Sequence, residues 1–216
     1  PKTIELKNYV LNSYLKNKPL PNNVTSKAIH IRTINSCWNW GLKKGHITVA
    51  NKLDGNIKGE ARTRVFNNDE LNLIFTKIKN KHFNSFVKFA YYTGARSGEI
   101  RRLKKSQINN GIIEVFGKTG KRLIKLNNQA QNIICKTNKL LSYSKDYVSH
   151  NFKNEVRRLN IHNARFHDLR RTFGINLIKN GMSIYKVSKL LGHKSVKTTE
   201  EHYAPLQTSD IENFII

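Results

Sequence analysis

Apolar residues along this chain recur mostly at intervals of three and four, the spacing of a helix with one buried face. In residues 3–17 they are Ile4, Leu6, Val10, Leu11, Tyr14 and Leu15, and the two prolines of KPLPNN then break the pattern. From Thr25 to Lys44, Ile29, Ile34, Cys37, Trp38 and Leu42 predict a second helix, stopped at Gly45. A stretch near 52–64 mixes Gly, Asn and charge without apolar periodicity and reads as a linker. NNDELNLIFTKI then opens a new block: Asn68 or Asp69 as the cap, with Leu71, Ile74, Phe75 and Ile78 inward. Phe83, Phe86, Val87 and Ala90 predict another helix, halted at Thr93-Gly94. The one clear β signal is GIIEVF and RLIKL joined by GKTGK, a hairpin. From Ser149 onward the chain reads helical again, with capping candidates at Ser149, Ser183 and Ser195. The fold class is mainly α with a small antiparallel β-sheet, in two parts.

Composition narrows what such a fold does. Lys and Arg total 39 against 14 acids, a net charge of +25. An excess recurring inside folded-looking segments suits many phosphate contacts, and a nucleic acid is the expected partner, with DNA and RNA not separated by charge alone. A basic coat for solubility or for an acidic membrane is the alternative. No apolar run approaches the ~20 residues of a membrane span. The opening PKTIELKNYV lacks the basic-then-apolar order of a signal peptide, and a first residue of proline suggests a fragment or a processed chain. Cys37 and Cys135 lack metal-site or disulfide spacing, so a reducing cytoplasm is expected, with Cys37 as a small core residue.

Several basic and hydroxyl side chains sit where chemistry is possible. In RFHDLRRTFG, Leu169, Phe173 and Leu177 form a buried stripe, leaving His167 and Arg170 together on a neighbouring face. Such a pair can bind one phosphate, or can cap the helix and pair with a surface acid. Arg171 points elsewhere, where a DNA-backbone contact is expected. Arg96 in TGARSGEI stands at a helix start with Glu99 placed to hold it; a solvated arginine in an ordinary turn is the alternative. Lys118, on the hairpin loop, can donate a proton to a leaving oxygen if its surroundings lower its pKa, or can contact phosphate as Lys121 does. His193 follows the stop at Gly192. Thr198 and Glu201 have the form of a capping box for a short helix bearing Tyr203. That tyrosine is either a buried anchor or a nucleophile whose phenolate nearby arginines would favour. Tyr185, Tyr91 and Tyr92 are rivals whose settings suit core packing.

Taken in order, Arg, Lys, His-x-x-Arg, His and Tyr from residue 96 to 203 resemble the tyrosine recombinase (phage integrase) family. TGARSGEI, GKTGKR, HDLRRTF and LLGHKSVKTT…Y carry the resemblance. It implies a two-domain clamp on double-stranded DNA: a helical core-binding (SAM-like) domain over 1–58, compact or trimmed, and a catalytic domain over 64–216. It implies that Arg96 and Arg170 clamp the scissile phosphate and that Lys118 is the general acid towards the 5′ oxygen. His167 would assist proton transfer, His193 would hydrogen-bond the phosphate, and Tyr203 would attack to give a 3′-phosphotyrosyl intermediate. Neither metal, ATP nor other cofactor is implied, and the chain offers no carboxylate cluster for two-metal catalysis. Lys121, Arg171 and Lys194 are expected DNA contacts. Ile211, Phe214, Ile215 and Ile216 form a tail that either docks on its own domain or passes to a neighbouring protomer in a tetramer on DNA. Tyr203 follows His193 by ten positions where many members have nine. The expected setting is the cytoplasm of a bacterium, an archaeon or a phage host, at the nucleoid, serving integration or excision of a mobile element. A type IB topoisomerase-like nicking enzyme and a catalytically idle DNA-binding protein are the rivals.

Overall fold

The computed structural model describes residues 2–55, 62–117, 120–136 and 143–207, apart from the side chains of residues 2, 105, 202 and 204–207. The chain divides into two compact units, residues 1–61 and 62–216. The first holds α1 (Lys2–Leu15) and α2 (Val24–Lys43). Asn23 caps α2 by accepting the Ser26 N–H. Asn35 grips the chain beyond α2 through both sides of its amide, donating to Leu53 O at 2.9 Å and accepting the Leu53 N–H at 2.8 Å. The core here is thin: Val10, Ala28, Ile31 and Ile34. Ile4, Leu6 and Leu15 are exposed, Leu15 by 76%, although their spacing pointed inward. Cys37, expected in the core, is exposed as well. The face of α2 that is buried runs through Ala28, Ile31 and Ile34, which turns Cys37 outward.

The second unit begins with α3 (Asn68–Lys77) and α4 (Lys81–Thr93). The α3 cap is Asn67, one residue ahead of the expected position, in a reciprocal box with Glu70. Asn80 accepts the Phe83 N–H to start α4, whose Phe83, Phe86, Val87 and Phe89 are wholly buried. Gly94 ends it in the left-handed conformation (φ 60°). After the short α5 (Ser97–Ile100) comes a sheet ordered β1 (Ile108–Asn109), β2 (Ile112–Gly117), β3 (Gly120–Lys125), antiparallel throughout. Lys118 and Thr119, between β2 and β3, lie outside the described residues. Register pairs Ile113 with Ile124 and Val115 with Arg122. Directly opposed residues share a face, so Arg122 stands on the buried side of the sheet.

Helices α6 (Asn128–Lys136), α7 (Lys145–Arg158), α8 (Phe166–Lys179), α9 (Ile184–Leu191) and α10 (Val196–Gln207) complete the unit. Ser144, not Ser149, caps α7 by accepting the Tyr147 N–H. Ser183 stands at the α9 cap position. Ser195 accepts the Lys197 N–H, so α10 starts there, and Thr198 and Glu201 fall inside the helix rather than forming its cap. Tyr185, expected to pack inward, is exposed beneath the Lys189 ammonium. Among the described residues, no helix is long and apolar enough to cross a membrane.

Candidate active site

The site gathers where α4, α5, α8 and α9 end or begin. Arg96 occupies the N-cap position of α5 with extended backbone (φ −71°, ψ 145°). Its N–H donates to Glu99 Oε2 at 2.8 Å and its Nη1 to Glu99 Oε1 at 3.0 Å. The rest of the guanidinium reaches the surface. Glu99 is almost fully buried yet charged: burial opposes ionisation, but Arg122 and then Arg96 outweigh it and hold the carboxyl at about 2. The expectation that Glu99 holds Arg96 matches this geometry.

Arg170 projects from α8 and is only 4% exposed. Its Nη1 donates to Gly94 O at 2.6 Å, and its Nη2 donates to Leu191 O. Those carbonyls close α4 and α9, so one guanidinium near the start of α8 ties that helix to the negative C-terminal ends of two others. Two of its five N–H groups are thereby engaged, which leaves three to meet an anion. Burial and then the charges of Arg96 and Arg122 push its pKa down, while Glu99 and Tyr203 push it back up.

His167 lies one turn earlier on α8, with its side chain open to solvent. Desolvation by nearby protein, then Arg170, Arg171 and Arg96, lowers its pKa to about 4, against a smaller upward pull from Asp168. The imidazole is neutral at pH 7 and able to accept a proton. A cleft of about 680 Å³ opens beside it, lined also by Ser97, Lys153, Arg157 and Arg165.

His193 sits past the left-handed stop at Gly192, and its Nδ1 pairs with Thr199 Oγ1 at 2.8 Å, linking the turn to α10. On α10, Tyr203 is 3% exposed. Its ring lies against α8 at Gly174. A Cβ at that position would stand 2.6 Å from Tyr203 Cζ and closer still to the hydroxyl, so only glycine admits the ring. Burial raises the phenol pKa, and the charges of Arg170 and Arg171 oppose the rise. Tyr203 is thus a packed aromatic whose hydroxyl feels the charge of Arg170.

Other expected contacts divide. Lys121 is exposed and pairs with Glu114 at 2.6 Å, a contact that water screens. Lys194 is exposed. Arg171, also an expected DNA contact, turns inward: its Nη1 donates to Asp168 Oδ1 at 2.7 Å, and its side chain is only 9% exposed. Burial plus a carboxylate partner at i−3 explains the difference. Asp168, unremarked in the sequence, is fully buried. It accepts from the Arg165 N–H at 2.8 Å, from Arg171, and from Arg62 Nη2 at 2.8 Å, so it fixes the first turn of α8 on which His167 stands. Its position three residues after a cap site was the available signal, obscured because Arg165 rather than Ser or Thr fills that site. Lys118 and the Ile211–Ile216 tail lie outside the described residues.

Residues 64–209 match the phage integrase family. A probable integrase/recombinase of Acholeplasma phage L2 is 26% identical, over 62% of this chain and 55% of that protein, so the chain spans about half the length of its curated relative. Among solved structures, a lambda integrase (75–356) dimer bound to a core site superposes with a TM-score of 0.74 at 20% identity, covering 99% of this chain and 83% of that one. The Tn1549 transposon integrase (82–397) with circular intermediate DNA gives 0.70 at 16% identity, covering 96% and 83%. The XerA recombinase gives 0.59 at 17%, covering 99% and 93%.

Proposed function

From the premise that this chain belongs to the phage integrase family, we propose that it is a site-specific DNA recombinase that cuts and rejoins strands through Tyr203. The observation that carries this is geometric: Arg170, one turn after His167 on α8, donates to the Gly94 carbonyl two residues before Arg96, and the Tyr203 ring packs on Gly174 one turn further along the same helix. Solved relatives bound to recombination DNA support the substrate class.

A phosphodiester entering beside His167 meets the free N–H groups of Arg96 and Arg170 on its non-bridging oxygens. The Tyr203 oxygen attacks phosphorus while its proton passes to the neutral His167 imidazole. Lys118 protonates the departing 5′ oxygen, and His193 hydrogen-bonds the phosphate. The products are a 3′-phosphotyrosyl ester and a free 5′-hydroxyl. One phosphoester bond replaces another, so the 5′-hydroxyl of a partner strand reverses the step without ATP or metal. Burial keeps the phenol protonated and out of water until the phosphate brings its arginines to bear.

Lys121 and Lys194 would contact the DNA backbone, unit 1–61 would serve as the core-binding domain, and the Ile211–Ile216 tail would join protomers on DNA. Integration or excision of a mobile element is the biological reading.

Covalent capture from a random pool tests this and finds the target sequence in the same step. The protein is incubated with nicked duplexes carrying a randomised core, and strands that remain attached through detergent are sequenced. Wild type is expected to enrich one core sequence and Tyr203→Phe to retain none. Equal retention by both proteins, or none by wild type, contradicts the reading. Adducts that close only their own strand and never join two duplexes would favour topoisomerase-like activity instead.

A further inference from the structure

The buried face of the sheet carries one residue that does not belong there on hydrophobic grounds. Arg122 lies opposite Val115 and two residues from Ile124, both buried, with its own side chain 10% exposed. Its outward neighbour Leu123 is the exposed one. An arginine occupies that place at a desolvation cost unless its donors are all met. Here Nη2 donates to Glu99 Oε2 at 2.7 Å, Nε to Glu99 Oε1 at 3.2 Å, and Nη1 to Leu190 O at 2.6 Å. The stem crosses Gly192, where a Cβ would stand 3.1 Å from Arg122 Nε and closer to Cδ, at a residue already in the left-handed region (φ 63°).

We propose that Arg122 is a positioning residue for strand cleavage: one guanidinium locks the hairpin to Glu99, and so to Arg96, and to the α9 end that precedes His193. The proposal rests on the reading of Tyr203 as nucleophile and adds a residue to it. Glu99 has one carboxylate for two arginines, and Arg122 takes both of its oxygens in the forked geometry that guanidinium matches. Arg96 is then left with a single side-chain bond to Glu99, and the remainder of its fork faces outward. The carbonyls of Leu190 and Leu191 are held in turn by Arg122 and Arg170. Two guanidiniums thus fix the turn bearing His193, whose ring reaches Thr199 on the tyrosine's own helix. Lysine could reach the carboxylate but could not span Glu99 and Leu190 together.

Three measurements test it. In the DNA-free protein, hydrogen exchange of residues 186–199 is expected to rise at least ~10-fold in Arg122→Ala, with the middle of α4 unchanged; unaltered exchange at 186–199 overturns the proposal whether or not any strand is cut. On captured core DNA at saturation, Arg122→Ala is expected to slow adduct formation ~10²-fold with DNA affinity nearly unchanged, and Arg122→Lys to fall between. Added guanidinium ion should restore part of that rate where sodium at equal ionic strength does not, an outcome that mere unfolding cannot give. Finally, Arg122→Ala placed in a Glu99→Gln background should cost no more than about twofold beyond the poorer single variant. Full multiplication of the two losses would mean that Arg122 acts on the phosphate directly, and would overturn the positioning role. If wild type cuts and Arg122→Ala cuts equally well, only this proposal falls; if wild type never forms an adduct, the Tyr203 reading falls, and exchange still judges Arg122.

Discussion

Two apolar clusters hold the 62–216 unit together, and they anchor different halves of the chemistry. The larger joins α3, α4, α7, the start of α8 and the sheet through Phe83, Phe86, Phe152, Ile113, Leu169 and their neighbours. Its rings meet edge-on, as Phe86 does with Tyr143, and stacked, as Phe86 does with Phe83. The smaller comprises Ile175, Val187, Leu191 and Tyr203, with Val65, Phe173, Leu177, Ile178 and Met182 packed around it. In this smaller cluster the proposed nucleophile is itself a core residue. The arginines proposed to bind the phosphate thus start from helices of the larger cluster, and the proposed nucleophile stands in the smaller one.

That contrast can be broken at either end. Phe86→Ala removes a fully buried ring from the larger cluster and is expected to cost ~3–5 kcal/mol of global stability, read from denaturant melts. A loss confined to exchange in α9 and α10 would mean the larger cluster is not where stability resides. Arg170→Gln keeps that cluster but withdraws the guanidinium tying Gly94 to Leu191. Its adduct rate should drop ~10²–10³-fold, the size found when one preorganised donor is removed. A retained rate would dissociate Arg170 from the reaction.

Gly174→Ala addresses the smaller cluster alone. A methyl placed in the tyrosine's seat should destabilise α10 by about 1–3 kcal/mol, visible as faster exchange over 196–203 while α4 stays protected. Unchanged protection there would show that Tyr203 does not rely on this notch. The smallest effect concerns charge. The His167 pKa is depressed in the folded chain, from an ordinary 6.5 to about 4. The unfolded chain therefore takes up a proton first as the pH falls. Stability from this group is complete above about 6.5 and declines as the pH drops towards about 4. An NMR titration of the DNA-free protein should place the His167 midpoint well below the ordinary 6.5, and Arg170→Gln should raise it.

How much of this the sequence carried depends on whether a residue's partners were close in the chain. Helices α4 and α8 were legible because each has a dense apolar face, and the hairpin because its strands are β-rich around glycines. The order Arg96, His167, Arg170, Tyr203 was legible through its resemblance to a known family and not from local partners, since the carbonyls that Arg170 holds lie 76 and 21 residues away. The hold of Glu99 on Arg96 was legible because the two are three residues apart. Arg122 was not, since Arg122-Ile124 and Leu123-Lys125 are equally plausible inner faces until a carboxylate 23 residues upstream decides between them. Arg171 was misplaced for want of Asp168, whose buried charge appears only once Arg62 and Arg165 converge on it. In the first unit, α1 was found and Val10 is buried, but Ile4, Leu6 and Leu15 are exposed, because few described side chains cover them.

The most direct test of Tyr203 as nucleophile is to find where the DNA is attached. Wild type trapped on its selected core is digested with nuclease and then trypsin, and the peptide retaining a nucleotide is fragmented in a mass spectrometer. The expected result is a nucleotide joined through its 3′-phosphate to Tyr203, in the peptide that begins at Thr198, and a 5′-hydroxyl on the released strand. A nucleotide on Tyr185, Tyr91 or any other side chain, or a linkage through the 5′-phosphate, would contradict it.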